Sequence, residues 1–339
     1  MPERATLRDV ARIAGVHPGT VSRALNPATE ALVRDETVQR VRQVAEELGY
    51  RPNPLARGLK TNRSYTIGVI VPDIQNPLFP PIIRGLDDRL GQAGYTPLIA
   101  NTDNDPARER VDFEAMRTRA VDGFITATAR LDHELLDEIA GVGVPLVLVN
   151  RRVEDGSLPS ATADDRAGVR LAVEHLTALG HTRIAHLGGP LNVSTGHQRS
   201  EGFREAMEAA GLDGSLVRAG RAFTEPEGAR LCEDLLAAGG AGGDVSAIVA
   251  GNDLMALGCY DVFAARGIRC PDDISVVGFN DMPFVDRFAP PLTTVRIPHY
   301  EIGVAAAQLL LDLLAGKEDG ASEVVLQPEL IVRGSTAPA

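Results

Sequence analysis

Over the first fifty residues the apolar positions recur every three or four, the spacing of one face of a helix. Thr6 precedes "LRDVARIA" with Asp9 three residues on, which predicts a capping-box start, and Gly15 predicts the stop. In "VHPGTVSRALN" Pro18 suits a first helical position, and Val21, Ala24 and Leu25 form a stripe. "DETVQRVRQVAEELGY" places Val38, Val41, Ala45 and Leu48 on one face and ends at Gly49. Three tightly joined helices are predicted.

From Tyr65 onward the period changes. Short β-rich runs, "YTIGVIVPD", "YTPLIANTD", "VDGFITATA" and "PLVLVN", alternate with amphipathic segments such as "PPIIRGLDDRLGQAG". A second set, "RIAHLGG", "SAIVAGND" and "ISVVGFND", alternates with "HQRSEGFREAMEAAG", "PEGARLCEDLLAAGG" and "DLMALGCYDVFAARG". Strand-helix alternation predicts parallel sheets covered on both faces, and two sets predict two similar α/β halves. After "TTVRIP" one more helix, "YEIGVAAAQLLLDLLAG", returns to the first half, and a last strand pattern, "EVVLQPELIVRG", goes back to the second.

Composition changes this picture at one end only. The 339 residues are 44% hydrophobic and 24% charged, ordinary for a globular chain and long enough for several cores. No run reaches membrane-span length, and the N-terminus has no apolar signal region, so a cytoplasmic protein is expected. Three cysteines without CxxC spacing fit reduced thiols. The net charge is −12, yet residues 1–63 hold 11 Lys+Arg against 7 Asp+Glu, a +4 module on a remainder of −16. Such asymmetry suits a chain that approaches a polyanion by one end. The first two helices match a helix-turn-helix, whose second helix enters the major groove. There Thr20, Ser22 and Arg23 are expected to be exposed, Arg23 suits a guanine edge, and Thr6, Thr20 and Asn26 suit phosphates. Spacing alone also allows a small helical domain with solvated arginines.

"TLRDVARIAGVHPGTVSRALN" closely resembles the N-terminal signature of the lactose/galactose repressor family of bacterial transcription regulators. The resemblance runs on through "YRPNPLARGLK", "NPLF", "VDGFI", "LVNR", "DDRAG", "HLTALGHTRIAHLGG", "QRSEGF", "DISVVGFND" and "PLTTV". It implies a helix-turn-helix headpiece at 1–51, a hinge helix at 52–63 and a periplasmic-binding-protein-like core of two doubly wound subdomains. These are expected at 64–164 with 293–320, and at 165–292 with 321–339. It further implies a homodimer on double-stranded operator DNA, with Leu59 wedged into the minor groove and Lys60 beside it, and no cofactor. The effector cleft would be lined by Phe79, Asn150, Arg151 and Asp164 on one wall. Thr195, Arg199, Phe223, Asn252, Asp253, Asn280 and Asp281 would line the other. Amides, carboxylates, a guanidinium and aromatic faces form a set suited to a sugar.

Taken singly, these residues have plainer roles: Asn and Asp at strand ends cap helices, and Arg199 can pair with Glu205. Departures from the family pattern are Pro18 and Gly19 at early recognition positions, and His17 in place of a frequent serine cap. Val193 stands where purine-responsive relatives carry arginine, and Asn280 where several carry aspartate, which makes a carbohydrate the expected effector. No leucine-heptad extension follows "IVRGSTAPA", so a dimer is expected. An enzyme is not expected: GxGxxG after the first strand, GxxxxGK[ST] and GxSxG are all missing. His181 and His186 straddle a helix-to-strand junction, a poor arrangement for a metal pair.

Overall fold

Thr6 and Asp9 form a reciprocal cap at the start of the first helix. The Thr6 amide donates to Asp9 Oδ2 at 3.0 Å, and the Asp9 amide donates to Thr6 Oγ1 at 3.4 Å. Helix α1 (Leu7–Ala14) ends at Gly15 with φ 67°, the left-handed stop expected. Helix α2 (Pro18–Ala24) is capped by His17, whose Nδ1 accepts from the Gly19 amide at 3.0 Å. The imidazole thus does the work of a serine cap. A 3-10 turn (Glu30–Leu32) precedes α3 (Asp35–Glu47). The three helices close over Val10, Val21, Val38, Val41, Val44 and small alanines, so they approach closely. The computed structural model describes residues 5–26, 29–50, 63–237, 245–317 and 323–339. It divides into two units between Ser64 and Tyr65.

In the second unit two six-stranded sheets repeat one plan. The first has the order β11-β5-β4-β3-β1-β2, all parallel: β1 (Thr66–Val71), β2 (Thr96–Asn101), β3 (Gly123–Thr126), β4 (Leu146–Val149), β5 (Ser160–Ala163) and β11 (Glu323–Leu326). The second runs β12-β10-β9-β8-β6-β7, with β6 (Ile184–Gly188), β7 (Val217–Ala219), β8 (Ala247–Ala250), β9 (Ser275–Asn280) and β10 (Thr293–Arg296) parallel and β12 (Glu329–Ile331) antiparallel. Helices α4 (Phe79–Gln92), α5 (Pro106–Thr118), α6 (Glu134–Gly141) and α11 (His299–Leu314) serve the first half. Helices α7 (Asp165–Ala178), α8 (Ser194–Ala209), α9 (Glu225–Ala237) and α10 (Asp253–Arg266) serve the second. Strands β3, β4, β5, β6, β8 and β9 are buried along their whole length, as parallel strands covered on both faces must be.

The expected division of the C-terminal third needs correction at two points. Residues 293–296 were assigned to the first half, but β10 lies in the second sheet, held parallel to β9 and antiparallel to β12. The crossing comes four residues later, at Ile297–Pro298. The single tail strand is in fact two: β11 extends the first sheet beside β5, and β12 extends the second beside β10. Pro328, which has no N–H to give to a ladder, stands between them. The chain therefore passes between the halves three times, at Asp164, at 297–298 and at 327–328. The short strands "SATA" and "VRA" carry almost no apolar alternation and were not predicted. His181 and His186 serve the fold: the first bridges Ser246 Oγ and the Ala337 carbonyl, and the second donates Nδ1 to the Val249 carbonyl.

Each half brings one helix pair together through facing glycines. A Cβ on Gly85 of α4 would lie 2.1 Å from the Tyr300 carbonyl oxygen, and one on Gly303 of α11 would lie 2.1 Å from that of Ile82. The second half repeats the device between Gly228 of α9 and Gly258 of α10, whose added Cβ atoms would meet Met255 and Glu225 backbone at 2.3 and 2.2 Å. Backbone cannot retreat as a side chain can. Gly303→Ala is expected to destabilise the second unit by about 1–3 kcal/mol or more through overpacking. Gly91→Ala, on the open side of α4 with no atom within 4 Å, is expected to be neutral or stabilising by up to ~1 kcal/mol. Urea unfolding of the two variants checks the contrast.

Candidate functional site

In each sheet the order reverses at one point, beside β1 in the first and beside β6 in the second, so neighbouring loops leave the carboxyl edge in opposite directions. Such switch points are where open α/β sheets take ligands. Here the two edges face one another across a cavity of about 420 Å³. The first half contributes Pro72 and Asp73 after β1, Thr102 to Asn104 after β2, Thr128 and Arg130 after β3, Asn150 and Arg151 after β4, and Phe79 from α4. The second contributes Asn192, Val193 and Thr195 after β6, Arg221 to Thr224 after β7, Asn252 after β8, Asn280 closing β9, and Arg199 from α8. Of the eleven cleft residues expected, Phe79, Asn150, Arg151, Thr195, Arg199, Phe223, Asn252 and Asn280 line this space.

Arg199 is fixed on three sides. Its Nε donates to Asp165 Oδ1 and its Nη1 to the Gly251 carbonyl, both at 2.7 Å, and its guanidinium lies 3.8 Å from the centre of the Phe279 ring. Phe223 stands on its other side at 5.6 Å. The pairing with Glu205 does not occur; Glu205 binds Arg166 instead. Burial pushes the Asp165 carboxyl up, and Arg199 opposes that shift. Asn252 caps α10 by accepting from the Met255 amide at 2.9 Å and reaches the Phe223 carbonyl with Nδ2 at 3.3 Å. It combines the plain role with a place on the wall.

Asn150 and Asn280 occupy equivalent strand ends, β4 and β9, and both have positive φ, 65° and 111°. Asparagine tolerates such backbone better than most side chains. Asn280 Oδ1 is buried without a hydrogen-bond partner, as is Arg151 Nε. Arg151 is lowered to about 10 by burial and by the Arg199 charge, which leaves it a cation at neutral pH. On the same wall is a network that the sequence did not signal. Buried Glu109 accepts from the Thr128 hydroxyl, and Arg130 Nη1 and His133 Nε2 approach its Oε2 at 3.4 and 3.3 Å. The Arg130 amide donates to His133 Nδ1, so Nε2 carries the proton that faces Glu109. Burial raises the Glu109 pKa, but His133, Thr128 and Arg130 together outweigh it and hold the carboxyl below its usual value. A glutamate in the first turn of an amphipathic helix reads as solvated; only the β3 loop folding over it makes it part of the wall.

Three expected residues lie elsewhere. Asp164 caps α7 by accepting from the Ala167 amide at 2.9 Å and lines a separate hollow with Arg152 and Arg166. Asp281 is held by Arg296 and Arg333, each at 2.7 Å. Asp253 is fully buried and accepts from Thr294 Oγ1 at 2.5 Å and from the Met282 amide at 2.7 Å. Each carboxylate satisfies local backbone or an ion pair, which turns it from the cavity. In the first unit Ser22 and Arg23 are exposed and Thr20 and Asn26 half-buried, while the Thr6 hydroxyl also donates to Asp9 Oδ2 at 2.6 Å. Leu59 and Lys60 lie outside the described residues.

A helix-turn-helix unit followed by two α/β halves around a cavity defines a ligand-responsive regulator. Residues 6–53 match the model of the bacterial regulatory proteins of the lacI family, and residues 173–336 that of the periplasmic binding protein-like domain. The chain is 35% identical to the HTH-type transcriptional regulator DegA of Bacillus subtilis (strain 168) over 99% of both proteins. Among solved structures, the regulator CelR in complex with cellobiose is 32% identical, with 98% of this chain and all of that one covered and a TM-score of 0.75. The lac repressor dimer bound to operator and the anti-inducer ONPF is 29% identical, covers 99% of this chain and all of its own, and gives 0.85. The protein belongs to the LacI family of bacterial transcriptional regulators; it is not an enzyme. No described helix is long and apolar enough to cross a membrane.

Asp253 supplies a test of this placement. Burial, helped by the charge of Asp281, pushes its pKa up to about 7, against hydrogen bonds from Thr294 and Met282. The neutral form is therefore favoured in the fold, and the stability it confers is full below the unfolded carboxylate pKa and lost as pH rises through about 7. Asp253→Asn removes this titration. The variant is expected to gain stability relative to wild type between about pH 5 and about pH 8. Urea unfolding at the two pH values measures the difference, and a pH-independent difference would contradict the buried, uncompensated carboxyl.

Proposed function

We propose that the protein is a homodimeric repressor that reads a near-palindromic operator through α2 and binds a small sugar-like effector in the cavity. The observation that carries this reading is the origin of the cavity wall. Both carboxyl edges contribute polar groups, so a ligand seated there bridges the halves and favours one relative placement of them. A ligand shifts such an equilibrium only by its differential affinity, typically ~1–3 kcal/mol of coupling. Asn150, Arg151, Thr195, Arg199, Asn252 and Asn280 offer donors and acceptors to hydroxyls, and Phe79 and Phe223 offer faces to the C–H surface of a ring. The cellobiose complex of CelR and the operator complex of the lac repressor dimer support the two halves of the proposal. Residues 52–63 would form the hinge, with Leu59 as a minor-groove wedge and Lys60 at the backbone. The regulated genes would serve carbohydrate use in the cytoplasm.

Two outcomes are expected. Asn280→Gly keeps the backbone freedom required at φ 111° and deletes the amide. It should weaken effector binding by about tenfold, roughly 1.4 kcal/mol, and leave operator binding intact. Calorimetry with the effector and fluorescence anisotropy on operator DNA separate the two, and unchanged effector binding removes Asn280 from the site. Arg23→Ala should relax preference at one base position per half-site by ~1–3 kcal/mol. Selection from a randomised operator library reads this directly, and an unaltered base profile rules out base contact by Arg23.

A further inference from the structure

Building on the reading of the cavity as the effector site, we propose that the effector is a hydroxylated anion, a sugar bearing a carboxylate or a phosphate, whose negative group is taken by Arg151. The charges around the cavity lead to this. Arg199 has its counter-charge in Asp165. Arg130 has Glu109, which also takes Thr128 and faces His133. At the rim Asp103 is paired with Arg108, Asp73 accepts from the Gln75 amide, and Arg221 lies within the influence of Glu227. Among the described residues the side chains of Arg151 and Arg221 make no hydrogen bond or ion pair, and of the lining arginines only Arg151 has a nitrogen, Nε, sealed from solvent without an acceptor. The charges that act on it are two cations, Arg199 and Arg130, and one anion, Glu109, which is already committed.

Arg151 is half-buried, and a charged guanidinium whose Nε is sealed without an acceptor is costly to the empty protein. That cost is recovered when a ligand brings a planar or tetrahedral oxyanion to which Arg donates two parallel, charge-assisted hydrogen bonds. A neutral sugar leaves the surplus positive charge in place. In the same cavity, the partnerless Oδ1 of Asn280 calls for a donor, which an anion lacks and a hydroxyl has. The two orphaned groups together describe one molecule with both chemistries. The equivalent strand ends sharpen this: Asn150 and Asn280 put neutral amides where carboxylates would have supplied the missing counter-charge.

The test is a thermal-shift and calorimetry panel on the full chain. It pairs neutral sugars (ribose, glucose, cellobiose) with sugar acids (gluconate, glucuronate), sugar phosphates (ribose 5-phosphate, glucose 6-phosphate) and inorganic phosphate. We expect an acid or a phosphate to raise the melting temperature where its neutral counterpart at the same concentration does not, with affinity that falls as salt is added. The acid and phosphate arms identify the source of the charge. Arg151→Met should reduce that affinity at least about tenfold and erase the preference over the neutral sugar. The ligand-free variant should melt at or above wild type, because it loses an unpaired charge. A neutral sugar bound as tightly as its acid or phosphate overturns the inference and leaves the effector site standing. A panel in which nothing binds overturns both, and inorganic phosphate bound as well as any sugar derivative overturns the requirement for hydroxyls. The wild-type comparison decides the matter even if the variant does not fold.

Discussion

The cavity wall of the second half is organised around the buried guanidinium of Arg199. A charge out of water is tolerated only when paired and hydrogen-bonded, and Arg199 meets that condition with groups from three separate elements. Asp165 opens α7, Gly251 follows β8, and Phe279 belongs to β9. Because one rigid, planar group must satisfy all three at once, their relative positions are fixed to within hydrogen-bond tolerance. Arg199 lies one helical turn beyond Thr195 on α8, so both residues face the same space. The geometry of the wall is thus set by a residue that also lines it.

The first half is built on the same strand order but with the charges differently spent. Its wall is held by Glu109, which gathers Thr128, Arg130 and His133, and Arg151 is left over. The chain passes between the halves three times, each time just beyond the carboxyl end of a strand. Three short connections form the kind of hinge that allows two halves to close or rotate on a ligand. Facing glycines stiffen a helix pair within each half, Gly85 with Gly303 and Gly228 with Gly258.

Much of this was legible beforehand because it rests on local rules. The helical period, the Thr6–Asp9 box, Pro18 at a first helical position and Gly15 as a stop are decided within a few residues, and they appear as read. The strands at 66–71, 123–126, 146–149 and 275–280 are buried on both faces and announce themselves as apolar runs. Strands such as "SATA" and "VRA" owe their existence to neighbours that supply the ladder, so their own residues give no signal. The assignment of β10 to the second sheet is of the same kind, since Thr293 and Thr294 are buried by pairing partners far along the chain.

The sequence by itself determined the two-part organisation, the α/β alternation, the family and the strand ends from which ligand-facing groups come. Hydrophobic periodicity and ordered motifs are properties of consecutive residues, so they survive without a structure. Only the tertiary structure decided which polar groups remain available. Asp164, Asp253 and Asp281 follow strands within three residues, as Asn150 and Asn280 stand at strand ends, yet the first caps a helix, the second is locked by Thr294 and Met282, and the third is shared between two arginines. Glu109, which no sequence pattern singles out, is part of the wall. A polar side chain faces a ligand or the fold according to the partners that distant segments bring to it, and that balance is settled in space.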